Sequence, residues 1–311
     1  MPGVRRRGAG RPPAGAELTY FLILVVDGAL AGAVYALVAL AFVIVYRASQ
    51  MINFSLGEWV MLAAGLLGAG VHVLGLGLAG ALLAATAAMV ALGVLFNHVI
   101  VRPLVGRPVI ALIMVTLGLG ALLRGVAAIT LSGVPRRLPL PIPEGPLVIG
   151  ALPIAPEKLA AGVVAALAIG LLTWGVHGSR AGLAIRAIAD DQQVAAAMGI
   201  DVHRYFALTW AGVGVIAVLA ATTWTAVVGG GFGVVLLGLK VFPIVIIGGL
   251  DSIGGTLIGA LLVGVLESLA AGYVDPWLGG GFSTIASYIA LIAMLCVRPY
   301  GLFGRPAVAR V

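Results

Sequence analysis

The chain has 311 residues, 62% of them hydrophobic and only 9% charged, and its mean hydropathy is +1.18. A soluble domain carries about a quarter charged residues, so this chain cannot cover a water-exposed globule and lipid must cover much of it. Its formal charge of +7 sits in short Lys/Arg clusters between apolar runs, the positive-inside pattern of membrane proteins, which argues against nucleic acid as a partner.

One bilayer crossing takes ~20 apolar residues. Residues 1–17 are basic and rich in Pro and Gly, and read as a cytoplasmic tail before a retained first helix, because the apolar run that follows is long and has no clear cleavage site. A transmembrane domain is expected over 18–298. Its apolar runs predict helices at 18–46 (broken up at Asp27-Gly28 and Gly32), 51–71, 76–100 and 109–131. Residues 132–156 hold seven prolines; they cannot form a helix and read as an external loop. A helix at 157–177 leads into 178–205, the longest internal segment and the most polar part of the chain. Helices follow at 206–228, 234–250, 254–273 and 282–297, with a flexible break at Gly229–Gly233, and 299–311 form a cytoplasmic tail. The fold class expected is all-α: a polytopic transmembrane bundle of about eight crossings with one or two broken or re-entrant segments.

Charge orients it. The clusters Arg5-Arg6-Arg7-Arg11, Arg102/Arg107, Arg180/Arg186/Arg204 and Arg298/Arg305/Arg310 are all expected in the cytoplasm. Two runs separate Arg107 from Arg180 and four separate Arg204 from Arg298, even numbers as required. Three precede Arg102, an odd number. Either the polar stretch Ser49–Glu58 interrupts a crossing, or the chain starts outside. Irregular backbone at membrane depth is tolerated only inside protein or beside water.

Two groups of residues could carry function. The first is the internal loop, read as one cytoplasmic helix over 180–199, with Ser179 as N-cap and Gly199 as its left-handed end. Arg186 and Asp190 are spaced as an i, i+4 pair. Ile185, Ile188, Gln192 and Ala195 lie along one stripe; a short capped helix with a small-residue face, carrying Asp191 and ending at Gly199, suits docking on a cytoplasmic partner, and a solvated linker helix is the plainer reading. The second group is Asn53, Ser55, Glu58, Lys240 and Asp251. Ser55 and Glu58 have capping-box spacing and either close a helix start or line a translocation path. Lys240 either reaches an interface or flanks that path with Asp251, which otherwise caps the helix near Gly254. Ionisable groups at membrane depth are costly and tend to be functional. The pairs Gly28/Gly32 and Gly255/Gly259 suit close helix contact within the chain.

Several chemistries are not indicated. His72, His98, His177 and His203 share no metal-ligand spacing. Cys296 is the single cysteine, so no intramolecular disulfide forms. There is no Walker A loop, no clustered acid–base set, and no cofactor or metal is expected.

Five stretches carry a resemblance. Met51-Ile-Asn-Phe-Ser-Leu-Gly-Glu58, Arg102-Pro-Leu-Val-Gly-Arg-Pro108, Arg186-Ala-Ile-Ala-Asp-Asp191 with Ala195-Ala-Ala-Met-Gly-Ile200, Gly248-Gly-Leu-Asp-Ser-Ile-Gly-Gly255 and Arg298-Pro-Tyr-Gly-Leu-Phe-Gly304 resemble, in order, segments of branched-chain amino acid ABC transporter permeases of the LivH type. Ser55-Leu56 replaces that family's usual Ala-His, Asp251 stands at a usually small position, and Gln193-Val194-Ala195 stands where importer loops carry Glu-Ala-Ala. The resemblance implies a non-enzymatic permease subunit of an ATP-driven importer in the cytoplasmic (inner) membrane, moving branched-chain or other hydrophobic amino acids. It implies as partners a second homologous permease, two ABC ATPase subunits and an external amino-acid-binding protein, besides membrane lipid. An ion-coupled secondary transporter, and a permease for a related amide or urea-like solute, are the alternatives.

Overall fold

The computed structural model describes residues 14–49, 51–104, 107–132, 138–139, 141–142, 145–149 and 152–304. Arg5–Arg11, Arg305 and Arg310 lie outside the described residues. Eleven helices of six or more residues are described: α1 (Ala14–Ser49), α2 (Leu56–His72), α3 (Gly77–Phe96), α4 (Val109–Thr130), α5 (Pro156–Gly178), α6 (Arg180–Asp190), α7 (Gln192–Ala197), α8 (Val202–Val227), α9 (Val235–Gly248), α10 (Ile253–Leu269) and α11 (Phe282–Val297). Helix α3 continues through a π turn, Asn97–Val101, to Leu104, and α10 through another, Ala270–Val274, to Leu278. Six of the spans are long and apolar enough to cross a bilayer, and α2, α9 and α11 are shorter apolar helices. The protein is a polytopic helical membrane bundle of about eight crossings.

The core draws on α1, α2, α3, α8, α9 and α10. Helix α1 runs antiparallel to α10, and a methyl group on Gly28 would lie 2.6 Å from the Val265 Cα, one on Gly32 2.7 Å from the Ala260 carbonyl oxygen. Without hydrophobic drive inside lipid, such backbone approach is how helices gain dispersion energy. Helices α9 and α10 form a hairpin closed by Gly249, whose φ of 104° favours glycine. Here a methyl on Gly259 would meet the Ile244 carbonyl oxygen at 2.6 Å. Helix α8 packs on α3 through Trp210, which lies 4.5 Å from Phe96 and 5.9 Å from Trp59 between ring centroids.

Three expectations are corrected here. Helix α1 is continuous through Asp27, Gly28 and Gly32: its glycines face α10 and its aspartate is paired with Lys158, so nothing interrupts it. The 180–199 segment is two helices, because Asp191 is extended (φ −158°, ψ 112°) and its carboxylate accepts from the N–H groups of Gln193 and Val194. Asp251 does not cap α10; Ser252 does, accepting from the Gly255 N–H at 3.0 Å. The proline-rich loop contains a short antiparallel strand pair, Leu147–Ile149 with Leu152–Ile154.

The irregular stretch falls where the sequence places it. Residues 51–55 are non-helical and α2 begins only at Leu56. The charge accounting changes, however. The α1 end at Tyr46 and Arg47 lines one cavity with His177, Asp190, Asp251 and Tyr300, whereas Tyr20 near its start bonds Gly272 beyond the far end of α10. One uninterrupted helix has one end at each face. Ala14 therefore lies at the end opposite to loop 178–205.

Candidate translocation path and coupling segment

The start of α2 is a buried polar knot. Asn53, Ser55 and Glu58 are 1%, 0% and 4% exposed. The Asn53 Oδ1 accepts from the Ser55 N–H at 3.0 Å and from the Ser55 hydroxyl at 2.7 Å, and the Ser55 Oγ accepts from the Trp59 indole at 3.2 Å. The capping box does not form: Ser55 makes no side-chain cap bond. Its hydroxyl is held by Asn53 and Trp59, and Glu58 turns away to Arg124 on α4, 3.1 Å from Nε to Oε1. Gly57 sits against the Val235 carbonyl and Gly238, so α2 starts at mid-bundle against α9. Phe54 stacks on Phe242 at 4.7 Å, and its N–H donates to Thr116 on α4 at 3.3 Å.

Arg124 was missed by sequence reasoning. It is a lone charge within an apolar run, and its side chain is 52% exposed on a helix whose other exposed residues include Met114, Leu117, Leu122 and Ile129. A guanidinium facing lipid there is costly; facing water it is not.

A second ionic knot lies one turn further along α9. Lys240 Nζ is 2.7 Å from Glu267 Oε2 on α10 and 3.1 Å from the Tyr35 hydroxyl on α1, which itself donates to Glu267 at 3.0 Å. Lys240 is nine residues from the Gly249 turn, about 13 Å at 1.5 Å per residue, near the middle of a ~30 Å hydrocarbon core. The Lys240 ammonium is answered by a carboxylate on the neighbouring helix. Asp251 is not with it, lying in the turn at the loop 178–205 end. Glu267 and Tyr35 were also missed, though Glu267 is the one charge in its apolar run. At the opposite end Lys158 pairs with Asp27 at 2.6 Å and ties α5 to α1.

In the loop segment, Ser179 caps α6 by accepting from the Gly182 N–H at 2.9 Å, and Gly199 is left-handed with φ 84°. Arg186 does not pair with Asp190. Its guanidinium turns back to the carbonyls of Val176 and His177 at the end of α5, leaving Asp190 exposed. Ala195 is buried at 3% exposure, while Leu183, Val194 and Met198 are 61%, 59% and 79% exposed. No group of His, Cys, Asp and Glu able to hold a metal occurs among the described residues.

The structure is thus a helical bundle with ionic knots between its membrane helices and a capped helix pair at one end. The chain belongs to the family of branched-chain amino acid transport system permease components, whose model matches residues 24–297. It is similar to the high-affinity branched-chain amino acid transport system permease protein LivH of Salmonella typhimurium, 29% identical over 95% of this chain and 99% of that protein. It is similar to BraD of Pseudomonas aeruginosa, also a high-affinity branched-chain amino acid permease, at 30% identity over the same shares. A probable LivH protein of Methanocaldococcus jannaschii is 33% identical over 46% of each chain. No solved structure matches. The protein is thus a multi-pass inner-membrane transport subunit and not an enzyme.

Proposed function

We infer that this chain is the permease subunit of an ATP-driven importer of branched-chain or other hydrophobic amino acids. It would work with a second homologous permease, two separate ATPase subunits and an external binding protein. The observation that carries the reading is the α6–α7 pair: Leu183, Val194 and Met198 are exposed on a capped, anchored element at a bundle end. Apolar residues outside lipid mark a protein contact. Arg186, Asp190, Asp191, Ala195 and Gly199 shape that contact. ATPase closure would push on α6 and α7 and shift the bundle between outward- and inward-open states.

The test is uptake by the complete complex in proteoliposomes. Uptake of labelled leucine should need lumenal ATP and external binding protein, and should survive an ionophore. Uptake that collapses with the ionophore and ignores ATP would make the chain a secondary transporter; a complex that moves urea or amides but not leucine would move the substrate class.

The Asn53–Ser55–Glu58 knot with Arg124 belongs to the path in this reading, on the water-facing side between two permeases. Arg124→Gln or Glu58→Gln should slow uptake ~10-fold, about 1.4 kcal/mol on the barrier, with insertion unchanged. Wild-type rates in both variants would remove the pair from the path.

Orientation is tested separately. With loop 178–205 inside, the start of α1 lies outside. In a Cys296→Ser background, a cysteine at Leu18 should react with an impermeant maleimide added to intact cells, and one at Met198 only after permeabilisation. The reverse pattern, or labelling of both together, would overturn this topology.

A further inference from the structure

One cavity lies away from both ionic knots. It holds 870 Å³ and opens at the end that carries loop 178–205. Its walls are the last turn of α1, the last turns of α5 and α6, the α9–α10 turn and residues 299–304. It brings together one residue from each group singled out in the sequence, Asp190 of the coupling segment and Asp251 of the supposed path, and adds Arg47. None of these three charged side chains makes a hydrogen bond or ion pair with another described residue. Ile246, Leu250 and Leu257 add apolar surface to the same cavity.

A cavity that holds a guanidinium and two carboxylates, unpaired among the described residues, beside apolar side chains selects its ligand by charge. A dicarboxylate is repelled by the two aspartates, and a simple amine leaves Arg47 unanswered. A zwitterion with an apolar side chain answers all three: its carboxylate takes charge-assisted bonds from Arg47, its ammonium faces Asp190 and Asp251, and its side chain lies on the leucines. We propose that this cavity binds a hydrophobic amino acid from the cytoplasmic side, as a product site that restrains transport. The proposal rests on the amino-acid reading given above. Its mechanical basis is position. Asp190 is the last residue of α6, and Asp251 and Leu250 belong to the α9–α10 turn, so a molecule bridging them ties the coupling helix to the bundle and opposes its movement.

The experiment uses the complete complex in proteoliposomes loaded with ATP and graded L-leucine, with binding protein and labelled leucine outside. Wild-type initial uptake should fall as lumenal leucine rises. The same concentrations of 4-methylpentanoate, which lacks the ammonium, or of 3-methylbutylamine, which lacks the carboxylate, should leave it unchanged. Arg47→Gln should keep uptake at zero lumenal leucine and raise the half-inhibitory concentration ~10-fold or more, the loss of one charge-assisted bond. Thr173→Phe, which fills the cavity from α5 without touching a charge, should do the same and decides the matter if Arg47→Gln does not assemble. Undiminished wild-type uptake at high lumenal leucine would overturn the product site while leaving the transport reading intact. Equal inhibition in both variants would place inhibition elsewhere, and inhibition by 4-methylpentanoate would refute the zwitterion. Absence of leucine uptake at zero lumenal leucine would instead count against the transport reading.

Discussion

Lys240→Met alone is expected to destabilise the bundle by roughly 3–5 kcal/mol, the cost of leaving a buried charge without its partner. Glu267 is 8% exposed, and its Oε1 already lacks a partner among the described residues. Without Lys240 its carboxylate keeps only the Tyr35 hydroxyl. Glu267→Leu should cost as much for the converse reason. The double variant Lys240→Met/Glu267→Leu should recover most of the loss, since well-packed apolar pairs of similar volume often replace buried ion pairs without penalty. Denaturation of the purified subunit in mild detergent, followed by tryptophan fluorescence, measures all three. A single variant as stable as wild type would mean that the pair is hydrated in the membrane. A double variant as unstable as the singles would mean that shape, not charge, is at stake. Uptake by the double variant then decides the role of the knot: retained uptake makes Lys240 a strut between α1, α9 and α10, and lost uptake with restored stability puts it on the path.

The sequence announces that knot only in part. Lys240 stands out because it interrupts an apolar run, and the same argument applied to Arg124 and Glu267 would have found both partners. What it could not supply is pairing. Glu267 is 27 residues from Lys240 and Tyr35 is 205; the α9–α10 hairpin brings the first two together, and the antiparallel packing of α1 on α10 adds Tyr35. The fold was legible because bilayer thickness sets helix length and 62% apolar content leaves few loops. The Met51–Ser55 break was legible from its polarity. The continuity of α1 was not, since Asp27-Gly28 reads locally as an interruption and is helical only because Lys158 and α10 meet it. The capping box at Ser55 failed similarly: local spacing favoured Glu58 as a cap, and a cation 66 residues later in sequence outcompeted the backbone N–H. At Asp191 the sequence contains a signal for the break, an aspartate two and three residues before the N–H groups that it accepts from. That makes it an N-cap in mid-segment and splits one expected helix into two.

The split determines how force can travel, and it points to Gly182. Replacing Gly182 with valine should cut uptake ~100-fold while ATP hydrolysis by the assembled complex continues, because an ångström of misplacement in a rigid element can cost that much. Gly182 is the third residue of α6, and a Cβ there would collide with the Val176 carbonyl oxygen, which is backbone and cannot swing aside. Arg186 donates to that same carbonyl. One peptide group at the end of α5 therefore holds α6 twice, through absence of a side chain at 182 and presence of one at 186. Valine must lift α6 away and break the Arg186 contact in the same movement. Gly182→Ala should show the same defect at lower amplitude, and Arg186→Glu, which removes the anchor but leaves the close approach, should fall between them. Normal uptake in Gly182→Val would mean that α6 floats freely and that α7, beyond the Asp191 joint, carries the push alone. If the defect appears, the anchor explains why: α6 is braced against a membrane helix, so a displacement applied to it moves α5, and through the Asp27–Lys158 pair α1, instead of being absorbed at the joint.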